Sequence, residues 1–170
     1  MPGQKGGPIN QMTGTETSLD LPDTAATLAL GRRLAAALAP GDVITLSGEL
    51  GAGKTTLARG LIAGLAERAG LTPEDVPSPS FPIAQTYELG PLTLWHFDFY
   101  RIEDEAELEE LGLGEALSSG ITLVEWPERA WGALPVERLD IRLEWAGEGR
   151  RALLAGLRRS GHVWRIEEIS

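Results

Sequence analysis

The spacing of apolar and polar residues changes period several times along the chain, and each change marks an element. Behind Asp23 or Thr24, either of which can cap a helix, Leu28, Ala29, Arg32, Ala35, Ala36 and Ala39 follow a helical spacing, and Pro40-Gly41 ends the run. Asp42–Ser47, centred on Val43, Ile44 and Leu46, reads as a buried strand. Gly48–Gly53 fits no regular element. From Lys54 to Ala69 the helical period returns, with Leu57, Leu61, Ile62 and Leu65 on one side. Leu71–Ser80 carries three prolines and reads as a loop. Phe81–Glu88 and Leu92–Phe99 read as strands joined at Gly90-Pro91. Six acids then fall within Glu103–Glu110, with Leu108 and Leu111 at helical spacing and Gly112 as a stop. That acidic run reads as a solvated helix face. Ile121–Val124 is a short continuous apolar run of the kind that fills central parallel strands covered on both faces. Leu139–Trp145 and Arg151–Leu157 predict a hairpin around Gly147–Gly149, and His162–Ile166 predicts a further strand.

Residues 1–18, rich in Gly, Gln, Pro and Thr and without an apolar period, read as a disordered tail, leaving 19–170 as a single domain. A chain of 170 residues has room for one substantial core. Cysteine is absent, which excludes disulfide scaffolds, thiolate metal sites and Cys nucleophiles, and two His (His96, His162) make a multi-His metal site a poor fit. No apolar run approaches the roughly 20 residues needed to cross a bilayer, and the first residues lack the apolar core of a secretory signal. The expected location is therefore the cytoplasm, with no membrane contact. The net charge of −10 argues against broad, autonomous nucleic-acid binding, which needs Lys and Arg on phosphates.

Gly48-Glu49-Leu50-Gly51-Ala52-Gly53-Lys54-Thr55 matches the Gly-x4-Gly-Lys-Thr pattern at every fixed position, between a predicted strand and a predicted helix. Glycines let the backbone turn tightly and bring N–H groups close to an anion. The helix starting near Lys54 aims its free amides and positive dipole end at the same place. Lys54 would reach the terminal phosphates as a mobile point charge, Thr55 would offer a hydroxyl to magnesium, and Thr56 a further hydrogen bond to phosphate. With the alternating strands and helices, the loop predicts an α/β, three-layer P-loop NTPase fold: a mostly parallel central sheet, helices on both faces, and an antiparallel C-terminal hairpin.

A phosphate–magnesium site needs a carboxylate, commonly at the end of another strand. Asp98 ends Leu92–Asp98, where alternation puts Leu92, Leu94, His96 and Asp98 on one side. Glu125 follows Ile121–Val124, at the carboxyl end where open α/β sheets bind ligands. Either acid could bind metal or orient water. His96 reads as a packed or hydrogen-bonded strand residue rather than a base, and Trp126 as a wedge at a sheet edge. In the Pro-rich loop, Ser78 and Ser80 offer hydroxyls, although a rigid connector explains the spacing equally well.

Taken together, Leu-Pro-Asp-Thr at 21–24, the phosphate loop with Thr55-Thr56, Ser-Pro-Ser-Phe at 78–81, His-Phe-Asp-Phe-Tyr-Arg at 96–101 and Val-Glu-Trp-Pro-Glu at 124–128 resemble the TsaE (YjeE) family. The resemblance runs from about Asp20 to Leu157. It implies a bacterial ATPase of tRNA threonylcarbamoyladenosine biosynthesis that works with TsaB and TsaD. Those partners modify the adenosine beside the anticodon of tRNAs reading codons that begin with A. The ATPase drives or resets them and does not transfer the group itself. For the site, the resemblance implies Gly51, Ala52, Gly53, Lys54, Thr55 and Thr56 on the phosphates of ATP. It puts Thr55 and Glu125 on Mg2+, Asp98 in catalysis with Lys54 and Glu125, Thr24 with the Gly149-Arg150 turn toward the nucleoside, and Ser78–Phe81 as a switch-like loop. Two positions depart from the family pattern. Ser80 stands where Thr is usual, keeping the hydroxyl but losing the methyl that restricts its rotamer. Phe99 stands where Leu is more common, which changes packing and leaves Asp98 intact.

No arginine finger is obvious in the sequence; Arg101 is the nearest candidate. A slow ATPase alone, completed by a partner, is therefore expected, with tRNA reached only indirectly. The competing readings are a small-molecule kinase, a GTP-controlled switch and a pure interaction module. A kinase would usually carry an Arg-rich lid, whereas Arg150, Arg151, Arg158 and Arg159 lie late. A switch would carry an Asn-Lys-x-Asp stretch, which this chain lacks.

Overall fold

The computed structural model describes residues 16–72, 83–156 and 169. Its frame is one seven-stranded sheet. The strands are β1 (Thr17–Leu21), β2 (Val43–Gly48), β3 (Ala84–Leu89), β4 (Leu92–Asp98), β5 (Ile121–Glu125), β6 (Leu139–Ala146) and β7 (Gly149–Gly156), in the spatial order β1-β7-β6-β2-β5-β4-β3. The four central strands β6, β2, β5 and β4 run parallel to one another, and the outer pairings β1–β7, β7–β6 and β4–β3 are antiparallel, so the sheet is mixed. The expected parallel centre and the β6–β7 hairpin are both present.

The helices are α1 (Thr24–Ala37), α2 (Lys54–Arg68), α3 (Ala106–Glu110) and α4 (Leu113–Ser119). α1 and α2 cover one face of the sheet over a core that includes Leu30, Leu34, Leu57, Leu61, Ile44, Leu46, Ile121 and Leu123. The opposite face buries Phe97, Phe99, Val124, Leu108, Leu113 and Leu134 beneath α3, α4 and short 3-10 turns. Three layers follow from two buried faces, because each apolar face of a sheet must be covered.

Asp23 caps α1, its side chain accepting from Ala26 N at 2.8 Å. The buried stripe of α1 is Thr27, Leu30, Gly31, Leu34 and Ala35, one residue out of phase with the expected Leu28, Ala29, Arg32, Ala35, Ala36 and Ala39. Alanines carry no strong preference for either face, so docking against α2 decides the phase. α1 and α2 touch backbone to backbone: a Cβ on Gly31 would lie 2.6 Å from Leu57 O, and one on Gly60 2.4 Å from Leu28 O.

One other expectation is corrected and one is qualified. β1 takes in Thr17 and Ser18, which composition assigned to the tail; main-chain pairing with Leu154 and Leu153 holds them without an apolar period. The acidic run is solvated as expected, with Glu103, Asp104, Glu105, Glu109 and Glu110 exposed, but its helix is only five residues long and two of its acids also bond the main chain. Glu107 Oε1 accepts from the amides of Glu103 and Asp104, and Asp104 Oδ1 accepts from Ala106 N. Helix α4 is an addition that the period did not reveal. The expected strand at His162–Ile166 and most of residues 1–18 lie outside the described residues. Among the described residues, no helix is long and apolar enough to cross a membrane.

Candidate functional site

β2 delivers the chain to the phosphate loop through Gly48. Its φ is 134°, and a Cβ there would fall 2.4 Å from Leu143 O on β6, so no other residue passes this point unstrained. After the loop, Gly53 (φ 104°) caps α2 without a side-chain bond, which leaves the first amides of a fifteen-residue helix without a side-chain acceptor. Such amides, with the dipole behind them, form an anion site. Ala52 N donates to Glu49 O at 3.0 Å, so that amide reaches a phosphate only once this turn opens.

Lys54 is 6% exposed. Its Nζ donates to Gly48 O and, at 3.0 Å, to Glu49 O, and lies 4.3 Å from the centroid of the Trp126 ring. Burial pushes its pKa below the usual lysine value, against the opposing pull of the carboxylates of Glu125, Glu128 and Asp98. Thr55 and Thr56 follow on the first turn of α2, Thr55 exposed.

The parallel pairing of β4 with β5 sets Asp98 opposite Glu125 at the carboxyl ends of adjacent strands, and β2 places Leu46 beside Glu125. His96 Nε2 is 2.9 Å from Glu125 Oε2. A carboxylate only accepts, so this ring nitrogen carries the proton. His96 is thus the hydrogen-bonded strand residue expected. Asp98 Oδ1 accepts from Tyr100 N at 3.0 Å.

Trp126 is not a sheet-edge wedge. It has φ 58° and ψ 51°, the only non-glycine residue with positive φ among those described. That conformation costs a bulky L-residue about 1–2 kcal/mol. Its N–H donates to Leu46 O at 3.2 Å, and its ring packs against both the Lys54 ammonium and Tyr100. Pro127 follows at once and starts the 3-10 turn that carries Glu128 toward Lys54. Glu128 closes the 124–128 motif, but an exposed acid after a proline carries no sign of a role in the sequence alone.

Beside the loop lies a cavity of about 420 Å³ lined by Leu21–Thr24, Thr27, Gly51, Gly53, Thr56 and Glu148–Arg150. The structure therefore brings Thr24, Gly149 and Arg150, distant in sequence, to one hollow that opens on the phosphate loop. Arg150 reaches across it, donating to Gly51 O at 3.2 Å. Arg101, itself exposed, ends the 3-10 turn Phe99–Arg101 after β4. Ser78–Phe81, with Ser80, lies outside the described residues, as do Arg158 and Arg159.

The donor set suits a hard divalent cation. A hydroxyl (Thr55) and a carboxylate (Glu125) are oxygen donors, and magnesium takes few protein groups when phosphate supplies the rest. Three carboxylates act on the single ammonium of Lys54, so a polyanion entering here needs added positive charge.

Fold and loop together define the class: the chain is a P-loop NTPase by architecture. The comparisons narrow this further. The family model described as threonylcarbamoyl adenosine biosynthesis protein TsaE matches residues 21–153, and the chain belongs to that family. It is 45% identical to the tRNA threonylcarbamoyladenosine biosynthesis protein TsaE of Bacillus subtilis, over 85% of this chain and 87% of that one. It is 41% identical to the protein of the same description from Streptomyces coelicolor, over 83% and 95%. The crystal structure of Bacillus subtilis YdiB superposes with a TM-score of 0.70 at 34% identity, covering 86% of this chain and 89% of that one.

Proposed function

We propose that the chain is a magnesium-dependent ATPase that acts in tRNA threonylcarbamoyladenosine biosynthesis, in the cytoplasm, by driving or resetting TsaB and TsaD, and that it reaches tRNA only through them. The observation that carries the reading is a convergence at one end of the sheet. A buried ammonium acted on by two strand-end acids and a helix start lacking a side-chain cap belong to one loop, and Gly51, Gly53 and Thr56 of that loop and helix line a cavity that reaches Thr24 and Arg150. That hollow extends the phosphate loop by enough room for a nucleoside, the shape a nucleoside triphosphate demands.

In this mechanism Lys54 leaves the carbonyls of Gly48 and Glu49 and engages the terminal phosphates, while the amides from Gly51 to Thr56 take the remaining oxygens. Thr55 and Glu125 would hold the magnesium ion, which when bound adds positive charge across the phosphate oxygens. Asp98 orients the water that attacks the terminal phosphorus in line; the new P–O bond forms as the bond to the bridging oxygen breaks, ADP leaves with that electron pair, and the water's surplus proton ends on the released phosphate. His96 steadies Glu125 through the 2.9 Å contact. Lys54 is the one cation the loop itself supplies, so the isolated chain turns over slowly and a partner completes the charge.

The test is ATP turnover with and without purified TsaB–TsaD, for wild type and Glu125→Ala. Stimulation by the partners that vanishes in the variant is the expected result. Turnover of about 10 per second or more by the chain alone would exclude partner completion. Preference for GTP in competition would exclude the ATP assignment.

A further inference from the structure

Trp145, the penultimate residue of β6, is half exposed, at 52%. It pairs directly with Arg150 across the β6–β7 hairpin, so both side chains leave the same face of the sheet. The guanidinium carbon of Arg150 lies 3.1 Å from the centroid of the indole. From that stack, Arg150 donates one N–H to Gly149 O and another to Gly51 O, each at 3.2 Å. Its Nε is buried and lacks an acceptor, so hydrogen bonding alone does not explain the placement. The indole also abuts the loop: a methyl added to Gly51 would lie 3.8 Å from Trp145 Cζ2.

We infer that Trp145 is a positioning residue for nucleotide binding, holding the Arg150 guanidinium across the cavity against the Gly51 carbonyl. The inference rests on the nucleotide-binding reading above and adds a residue to it. A guanidinium free to rotate would have to be ordered when the ligand arrives; one stacked on a fixed ring is ordered beforehand. Because a carbonyl and the N–H of the same peptide point opposite ways, the bond to Gly51 O also sets the plane of the Gly51–Ala52 peptide. The stack thus ties the hairpin to the loop at one wall of the cavity.

The experiment measures MgATP affinity by calorimetry, and KM and kcat, for wild type, Trp145→Leu, Trp145→Phe, Arg150→Met and the Trp145→Leu/Arg150→Met pair. Leu keeps apolar bulk and removes the aromatic face; Phe keeps the face. Trp145→Leu should weaken ATP binding about three- to tenfold, the range of a partly desolvated cation–aromatic contact. It should raise KM by the same factor and leave kcat within about twofold. Trp145→Phe should recover most of the loss, and the double variant should bind no worse than Arg150→Met alone, since Trp145 acts through Arg150. Wild-type affinity in Trp145→Leu, or additive losses in the pair, would overturn the inference while leaving the functional reading intact. A wild-type chain that does not bind ATP overturns both.

Discussion

Two buried cations, each beside a tryptophan, serve opposite purposes. Arg138 is 1% exposed, and its charge is answered on the spot. Asp140 accepts from Nε at 2.7 Å and from an Nη at 3.3 Å, Pro135 O accepts at 2.7 Å, and the guanidinium lies 4.6 Å from the Trp131 ring. Asp140 in turn accepts from Thr45 Oγ1 at 2.6 Å, which ties the start of β6 to β2. Lys54 is nearly as buried and likewise lies over a ring, yet its contacts are carbonyls of its own loop, and the acids that act on it do so at longer range. A cation matched by a fixed carboxylate belongs to the fold. One resting on backbone oxygens, with burial working against its charge, is available to a ligand.

The contrast is broken most directly at Arg138. Replacing it with Met takes the cation from Asp140, which keeps the Thr45 hydroxyl, and removing one partner of a largely buried pair costs about 3 kcal/mol. The melting temperature should fall by roughly 10 °C at this chain length, while the folded fraction keeps its ATP affinity in calorimetry. Lys54→Met should do the reverse: ATP affinity falls about 100-fold, near 2.7 kcal/mol, and the melting temperature measured without nucleotide holds or rises. Should both substitutions unfold the chain, or both spare it, the two cations are not the different kinds described here.

Smaller changes sharpen the same contrast. Thr45→Val keeps the shape but removes the hydroxyl from a fully buried site beside Asp140, and should cost about 1 kcal/mol by thermal melting without altering turnover. The smallest effect is the pH dependence of Lys54. Its folded pKa lies below the ordinary 10.5, so between the two values the unfolded chain binds more protons. Stability measured without nucleotide should therefore rise with pH through that window, and Lys54→Met should flatten this contribution. An unchanged pH slope in the variant would mean that the loop carbonyls and nearby acids fully offset the burial of the ammonium.

What the sequence determined by itself was local. Gly48–Thr55 was legible because a tight turn, a helix start and one lysine at fixed spacing are set by neighbours in the chain. The run Ile121–Val124 was legible because a short uncharged, β-branched and apolar stretch suits a strand covered on both faces, and that placed Glu125 at its end. The hairpin around Gly147–Gly149 was legible for the same kind of reason. The phase of α1 was not, since its alanines suit either face and the backbone contact with α2 chooses. Nor was the place of Trp126, whose positive φ turns the ring over Lys54 against its intrinsic preference, or the role of Glu128 beside it. The meeting of Thr24, Gly51 and Arg150 around one cavity, and of Trp145 with Arg150, required the register of β7 with β1 and β6. The chain could announce the phosphate loop because adjacent backbone groups build it; the walls around that loop come from distant segments, and only the packing of the whole sheet brings those together.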